Sequence, residues 1–93
     1  MNIEMITDRD SVATAVCDII ATTLNIPRAA ITTKTGLDSD LGIDSMALIE
    51  TQVAIEERFG ITMLDVDEME ARDPKVVGDL VDVVLEQMAA AKH

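Results

Sequence analysis

Ninety-three residues leave room for one domain, residues 1–93, with a single core and no deep internal cleft, since a chain this short buries only about 60% of its unfolded surface. Eighteen acidic residues against seven basic ones give a net charge of −11, while 48% apolar content excludes a disordered chain. Nucleic acid and anionic membrane need a basic surface and are excluded as partners, so the expected partners carry positive patches.

The first helical pattern begins after Thr7, with Thr7, Asp8 or Asp10 as candidate caps. Val12, Val16, Ile19, Ile20 and Leu24 then recur at helical spacing. Asn25-Ile26-Pro27 ends the segment, because a proline disfavours helical geometry at the residue before it. Residues 28–43 read as a long connection that Ile31, Leu37, Leu41 and Ile43 can pin to the core. A second helix runs from Asp44 to Phe59, with Asp44 as N-cap and Gly60 as its stop. A short acidic helix covers roughly Asp65 to Ala71. Asp73-Pro74 supplies a cap and first-turn proline for a last helix carrying Val77, Leu80, Val81, Val84, Leu85 and Met88, which frays from Ala89 to His93. No strand-period alternation competes, so the expected fold is an all-α four-helix bundle, three long helices and one short, with a long loop between helices 1 and 2.

The lone cysteine, Cys17, excludes an internal disulfide and a multi-cysteine metal site. Met1 to Asp10 holds no apolar signal-peptide core, and no apolar run approaches a membrane span, so the cytoplasm is the default compartment. Phe59 is the only aromatic residue, which leaves nothing to stack on bases or sugars.

The charge is unevenly distributed. Residues 38–70 hold ten acids and one base, Arg58, for a net of −9. The second helix carries two apolar stripes roughly 120° apart at about 100° per residue. Leu48, Ile55 and Phe59 form the expected core stripe, whereas Met46, Ile49 and Val53 form a second one beside Glu50 and Glu57. Either the first helix or the loop covers the second stripe, or it is an exposed ridge for a transient partner with an apolar groove and a basic rim.

Ser45 is the first residue inside the second helix, where a hydroxyl points outward beside unpaired amides. An attached phosphate would meet the positive end of the helix dipole there, worth about 0.3–1 kcal/mol. Asp38, Asp40 and Asp44 oppose capture of free phosphate, which makes an attached phosphodiester the better fit. Ser45 has no neighbouring base: the single histidine, His93, is the last residue, and no lysine lies in the helix. An activating base must therefore come from another protein. Asp38, Asp40 and Asp44 match positions 1, 3 and 7 of a calcium loop, but Ile43 stands where the glycine and Ile49 where the glutamate belong, so no metal site is expected.

The segment Asp40-Leu-Gly-Ile-Asp-Ser-Met46, the helix order and the acidity together resemble an acyl carrier protein over essentially the whole chain. The resemblance implies a non-catalytic carrier whose Ser45 receives 4′-phosphopantetheine from coenzyme A through a phosphopantetheinyl transferase. Cargo then rides as thioesters on the arm's terminal thiol. It further implies that Asp44 assists transferase recognition and that Met46, Ile49, Glu50, Val53 and Glu57 form the docking face. Asp65, Glu68 and Glu70 on the short helix would contribute to it. The implied partners are the transferase and a ketosynthase, acyltransferase and other synthase enzymes with basic patches, met by a monomeric carrier. Asp-Ser-Met-Ala-Leu-Ile-Glu-Thr is similar to the Asp-Ser-Leu-Ala-Leu-Met-Glu-Thr of discrete polyketide (antibiotic-type) synthase carriers, which implies a free-standing polyketide carrier. A carrier for fatty-acid synthesis or for aminoacyl or extender units is the alternative. An unmodified acidic interaction protein is the rival from another class.

Overall fold

In the computed structural model, which describes residues 9–91, four helices follow one another: α1 Arg9–Leu24, α2 Ser45–Phe59, α3 Val66–Arg72 and α4 Val77–Ala91. Among the described residues there is no strand, so the all-α bundle with its long connection between α1 and α2 stands as the periodicity implied. α1 is the central element and packs against both α2 and α4. It therefore buries more than one stripe: Ala15, Cys17 and Ala21 are buried along with Val12, Val16, Ile19 and Ile20. Small side chains at those extra positions let two neighbouring helices approach.

α1 stops by a device the proline only hints at. Asn25 adopts a left-handed conformation (φ 58°), its amide donates to the Thr22 carbonyl, and the Ile26 amide reaches back to the Ala21 carbonyl at 3.0 Å. Those two bonds are a Schellman closure with asparagine in place of glycine. Gly60 closes α2 similarly (φ 66°), its amide and that of Ile61 both donating to the Glu56 carbonyl. Of the candidate caps for α1, Asp10 lies inside the first turn and is not the cap; Thr7 and Asp8 lie outside the described residues.

The Asp73-Pro74 assignment needs correction. Asp73 is left-handed (φ 50°) and terminates α3, and α4 begins at Val77. The start of α4 is capped instead by the Asp79 carboxylate, which accepts from the Lys75 and Val76 amides at 2.7 and 3.1 Å. α3 carries a capping box, in which Asp65 accepts from the Glu68 amide and Glu68 accepts from the Asp65 amide. The expected fraying at Ala89 is also overturned, since α4 stays helical to Ala91; Lys92 and His93 lie outside the described residues.

The connection between α1 and α2 is fastened rather than free. A single 3-10 turn occupies Arg28–Ala30, and Ile31 and Leu37 are buried, with Leu41 and Ile43 half-buried. Its backbone is bonded to the start of α4: Leu37 amide to Lys75 carbonyl, Val77 amide to Thr35 carbonyl and Gly78 amide to Thr33 carbonyl, at 2.8–2.9 Å. The segment after α2 is held by side chains in the same way. Gln52 donates to the Leu64 carbonyl, Gln87 donates to the Thr62 carbonyl and Glu56 accepts from the Met63 amide.

The amides of Lys75 and Val76 hold the Asp79 carboxyl below the usual carboxylate range. Its stabilisation is therefore complete above the unfolded value of about 3.9 and is lost as pH falls through the lower folded value. Urea melts at pH 7 are expected to show Asp79→Ala costing about 1 kcal/mol, a difference that shrinks once the pH drops below about 3.9. Gly60→Ala is expected to cost about 1 kcal/mol in the same melts, because alanine resists the left-handed conformation.

Candidate functional site

The end of the long connection delivers Ser45 to the surface. Gly36 to Gly42 wind through consecutive turns, with the Gly36 amide donating to the Asp40 carboxylate at 2.6 Å and the Ile43 amide to the Leu37 carbonyl at 2.9 Å. Gly42 takes a left-handed conformation (φ 62°) that side chains resist, two residues before the cap. Asp44 is extended (φ −93°, ψ −177°), and its carboxylate accepts from the Ala47 amide at 2.8 Å. The Asp44 carbonyl accepts the first helical bond, from the Leu48 amide. The amides of Ser45 and Met46 find no acceptor among the described residues. Ser45 is exposed at this partially positive helix entrance, so its hydroxyl is open to a visiting enzyme.

Among the described residues Ser45 makes no hydrogen bond to a base, and the neighbouring Asp44 carboxylate accepts from the Ala47 amide. Cys17 is buried in the core, and burial pushes its thiol up, with Arg28 opposing and Asp18 adding. That is the direction of an inert thiol. Asp40 and Asp44 both hold backbone amides, and no group of three potential metal ligands occurs among the described residues. A phosphodiester fits the place: it needs an accessible hydroxyl and free amides, and both are present.

α2 settles which of its stripes is covered. Ile55 is fully buried, with Leu48 and Phe59 half-buried, and the buried face also takes in Thr51 and Gln52. Met46, Ile49 and Val53 are 68, 45 and 47% exposed, so neither α1 nor the loop covers the second stripe. Val66 at the start of α3, 52% exposed, extends this ridge and was missed because a lone valine in an acidic stretch carries no periodic signal. Glu50, Glu57, Glu68 and Glu70 are all exposed. Glu68 and Asp65 have a local task as well, the capping box, which their sequence positions three apart could have revealed.

Electrostatics separate this face from the rest. Among the described residues every ion pair lies outside 38–70: Arg9 with Asp82, Arg28 with Asp18, Arg72 with Glu86 through two bonds of 2.7 and 2.8 Å, and Lys75 with Asp73. The carboxylates of residues 38–70 are thus left without a cationic partner among the described residues, and all but the half-buried Glu56 are exposed.

A cleft of about 230 Å³ opens between α2, α3 and the connection, beside Ser45. Ser45, Leu48, Ile49 and Gln52 line it from one row of α2, spaced as i, i+3, i+4 and i+7, while Val66 and Met69 close the α3 side. The expectation that so short a chain holds no deep cleft is corrected here, since α3 and the connection meet α2 only in the folded chain and leave this space between them.

Comparison with known proteins agrees with this geometry. Residues 14–82 match the family model for the phosphopantetheine attachment site. The acyl carrier protein of Acidothermus cellulolyticus is 30% identical over 87 residues, covering 94% of this chain and all of the relative. That of Rickettsia typhi is 30% identical over 96% of this chain and all of the relative, and that of Syntrophobacter fumaroxidans 33% over 81% and 89%. The matched span, the full-length relatives and the bundle itself converge: the chain belongs to the acyl carrier protein family, non-catalytic carriers of a covalently attached 4′-phosphopantetheine.

Proposed function

We propose that Ser45 is the attachment point of the 4′-phosphopantetheine arm and that the chain carries acyl intermediates for a discrete polyketide synthase. The observation that carries the first half is the exposed serine at the entrance of α2, capped by Asp44 and flanked by free amides, inside the matched span. Loading forms a bond between Ser45 Oγ and the phosphorus of the pantetheine phosphate and breaks the pyrophosphate of coenzyme A. The nucleotide half leaves, and the serine proton passes to a base on the transferase. The arm supplies a thiol on which cargo is held as a thioester; the protein supplies its root, its reach and its address.

The address is the ridge of Met46, Ile49 and Val53 with Glu50, Glu57 and Glu68 beside it. Apolar contact gives register, and unpaired carboxylates steer partners with basic rims, namely the transferase, ketosynthase and acyltransferase. Exposed charge pairs are worth little individually and are screened by salt, so such docking is weak and quickly reversed. That suits a carrier, whose tether raises the local concentration of cargo at each docked enzyme.

The polyketide assignment rests on the segment after Ser45, where Ala47 and Leu48 stand in place of more acidic and polar residues. A carrier for fatty-acid synthesis is the second reading, favoured by full-length relatives that bear the general name acyl carrier protein. Rates of chain elongation by a polyketide and a fatty-acid ketosynthase, measured on the same loaded carrier, discriminate the two.

Intact mass after incubation with coenzyme A and a promiscuous transferase is expected to rise by one phosphopantetheine for the parent and not for Ser45→Ala, whose circular dichroism stays unchanged. An unmodified parent chain would overturn the assignment. Val53→Asp and Glu50→Lys are expected to slow turnover by partner enzymes about tenfold or more while leaving the thermal midpoint within a few degrees. A large drop in midpoint with unchanged partner kinetics would make the ridge part of the core.

A further inference from the structure

Only two polar side chains, Thr51 and Gln52, are buried among the described residues. Thr51 is accounted for locally, since its hydroxyl donates to the Ala47 carbonyl at 2.9 Å. Gln52 is different. It is 8% exposed, its Nε2 donates to the Leu64 carbonyl at 3.3 Å, and its Oε1 accepts nothing from the described residues. The bond to a carbonyl fixes which end of the amide is nitrogen, so the acceptor and one remaining N–H are both uncommitted. Gln52 lines the cleft seven residues below Ser45 on the same row of α2, about 10 Å along the helix.

Around that amide the cleft is mostly apolar, with Leu48, Ile49, Val66 and Met69 as walls. At about 230 Å³ it exceeds the apolar cavity of about 150 Å³ that takes up benzene in a well-studied protein. A flexible arm rooted at its mouth can lay a short acyl chain into it. A saturated chain lying there would cover the Gln52 amide and remove its water without replacing the hydrogen bonds, which is the expensive way to bury a polar group.

We propose that Gln52 makes this cleft selective among cargoes: it favours acyl chains bearing an oxygen, a ketone or a hydroxyl near the thioester, over saturated chains of equal length. A ketone accepts from the free Nε2 N–H, and a hydroxyl donates to Oε1; a methylene does neither. Gln52 acts here as a specificity-determining residue of the non-covalent cleft, and the inference rests on Ser45 bearing the arm. It deepens the polyketide reading, whose intermediates retain such oxygens. The expected preference is on the order of tenfold in cleft occupancy, the ratio that leaving one amide unpaired implies.

The test loads the full chain with hexanoyl, 3-hydroxyhexanoyl or 3-oxohexanoyl through an amide-linked analogue of the arm that does not hydrolyse. Two probes report: the Met69 methyl resonance for cleft occupancy, and the Gln52 side-chain NH2 resonances for the hydrogen bond. In the parent, both oxygenated chains are expected to move both probes, and hexanoyl far less. In Gln52→Leu the order of the Met69 response is expected to reverse. That variant also loses the bond to Leu64, so cargoes are compared within each protein; should it fail to fold, the parent's Gln52 resonances decide. Equal responses to all three chains, a preference that survives in Gln52→Leu, or a Met69 methyl that ignores every cargo would each overturn the proposal while the mass gain leaves Ser45 as the attachment point. A chain that gains no mass overturns both.

Discussion

The backbone hydrogen bonds between residues 33–37 and 75–78 set the geometry on which the site depends. They tie the middle of a twenty-residue connection to the start of α4, and the buried side chains of Ile31 and Leu37 hold the same segment from the inside. With its middle fixed, the remaining turns from Gly36 to Asp44 have little freedom, and the entrance of α2 is presented at one place on the surface. The same bonds satisfy amides of the first turn of α4, so one set of contacts orders the loop and starts a helix. Under the proposed function, this places an accessible serine where a modifying enzyme can reach it.

Charge is partitioned in the fold with equal clarity. Arg9 at the start of α1 and Arg72 at the end of α3 each pair with an acid of α4, Arg28 after α1 pairs with Asp18 on it, and Lys75 pairs with its neighbour Asp73, while α2 and its surroundings keep their carboxylates unpaired among the described residues. The exposed ion pairs therefore sit away from the face proposed for docking. The cost is self-repulsion across that face, tolerable because the carboxylates are solvated and because Asp44, Glu56, Asp65 and Glu68 each accept from a backbone amide.

Much of this was legible in the residues because the signals were local. Asp44 before an apolar pattern and Gly60 after it fix both ends of α2, and the position of Ser45 just past a cap already implies exposure. Asn25 ends α1 by a left-handed turn that asparagine signals less sharply than glycine. Asp73-Pro74 reads equally well as the end of one helix or the start of the next; Asp79 and the non-local pairing to the connection decide it. The two stripes of α2 could be counted, but which one lies under α1 depends on packing that spans the chain. Thr51 and Gln52 stayed hidden because polar residues on a buried face interrupt the apolar rhythm by which burial is read.

Ile49 stands on the exposed ridge and also forms part of the lip of the cleft. Under the proposed function, one side chain then answers to two demands, the shape of a docking enzyme and the contents of the groove behind it. On that reading, substitutions at this position are pleiotropic by construction, and a defect produced there would report on recognition and storage together. Met46 and Val53, which lie on the ridge without lining the cleft, separate the two.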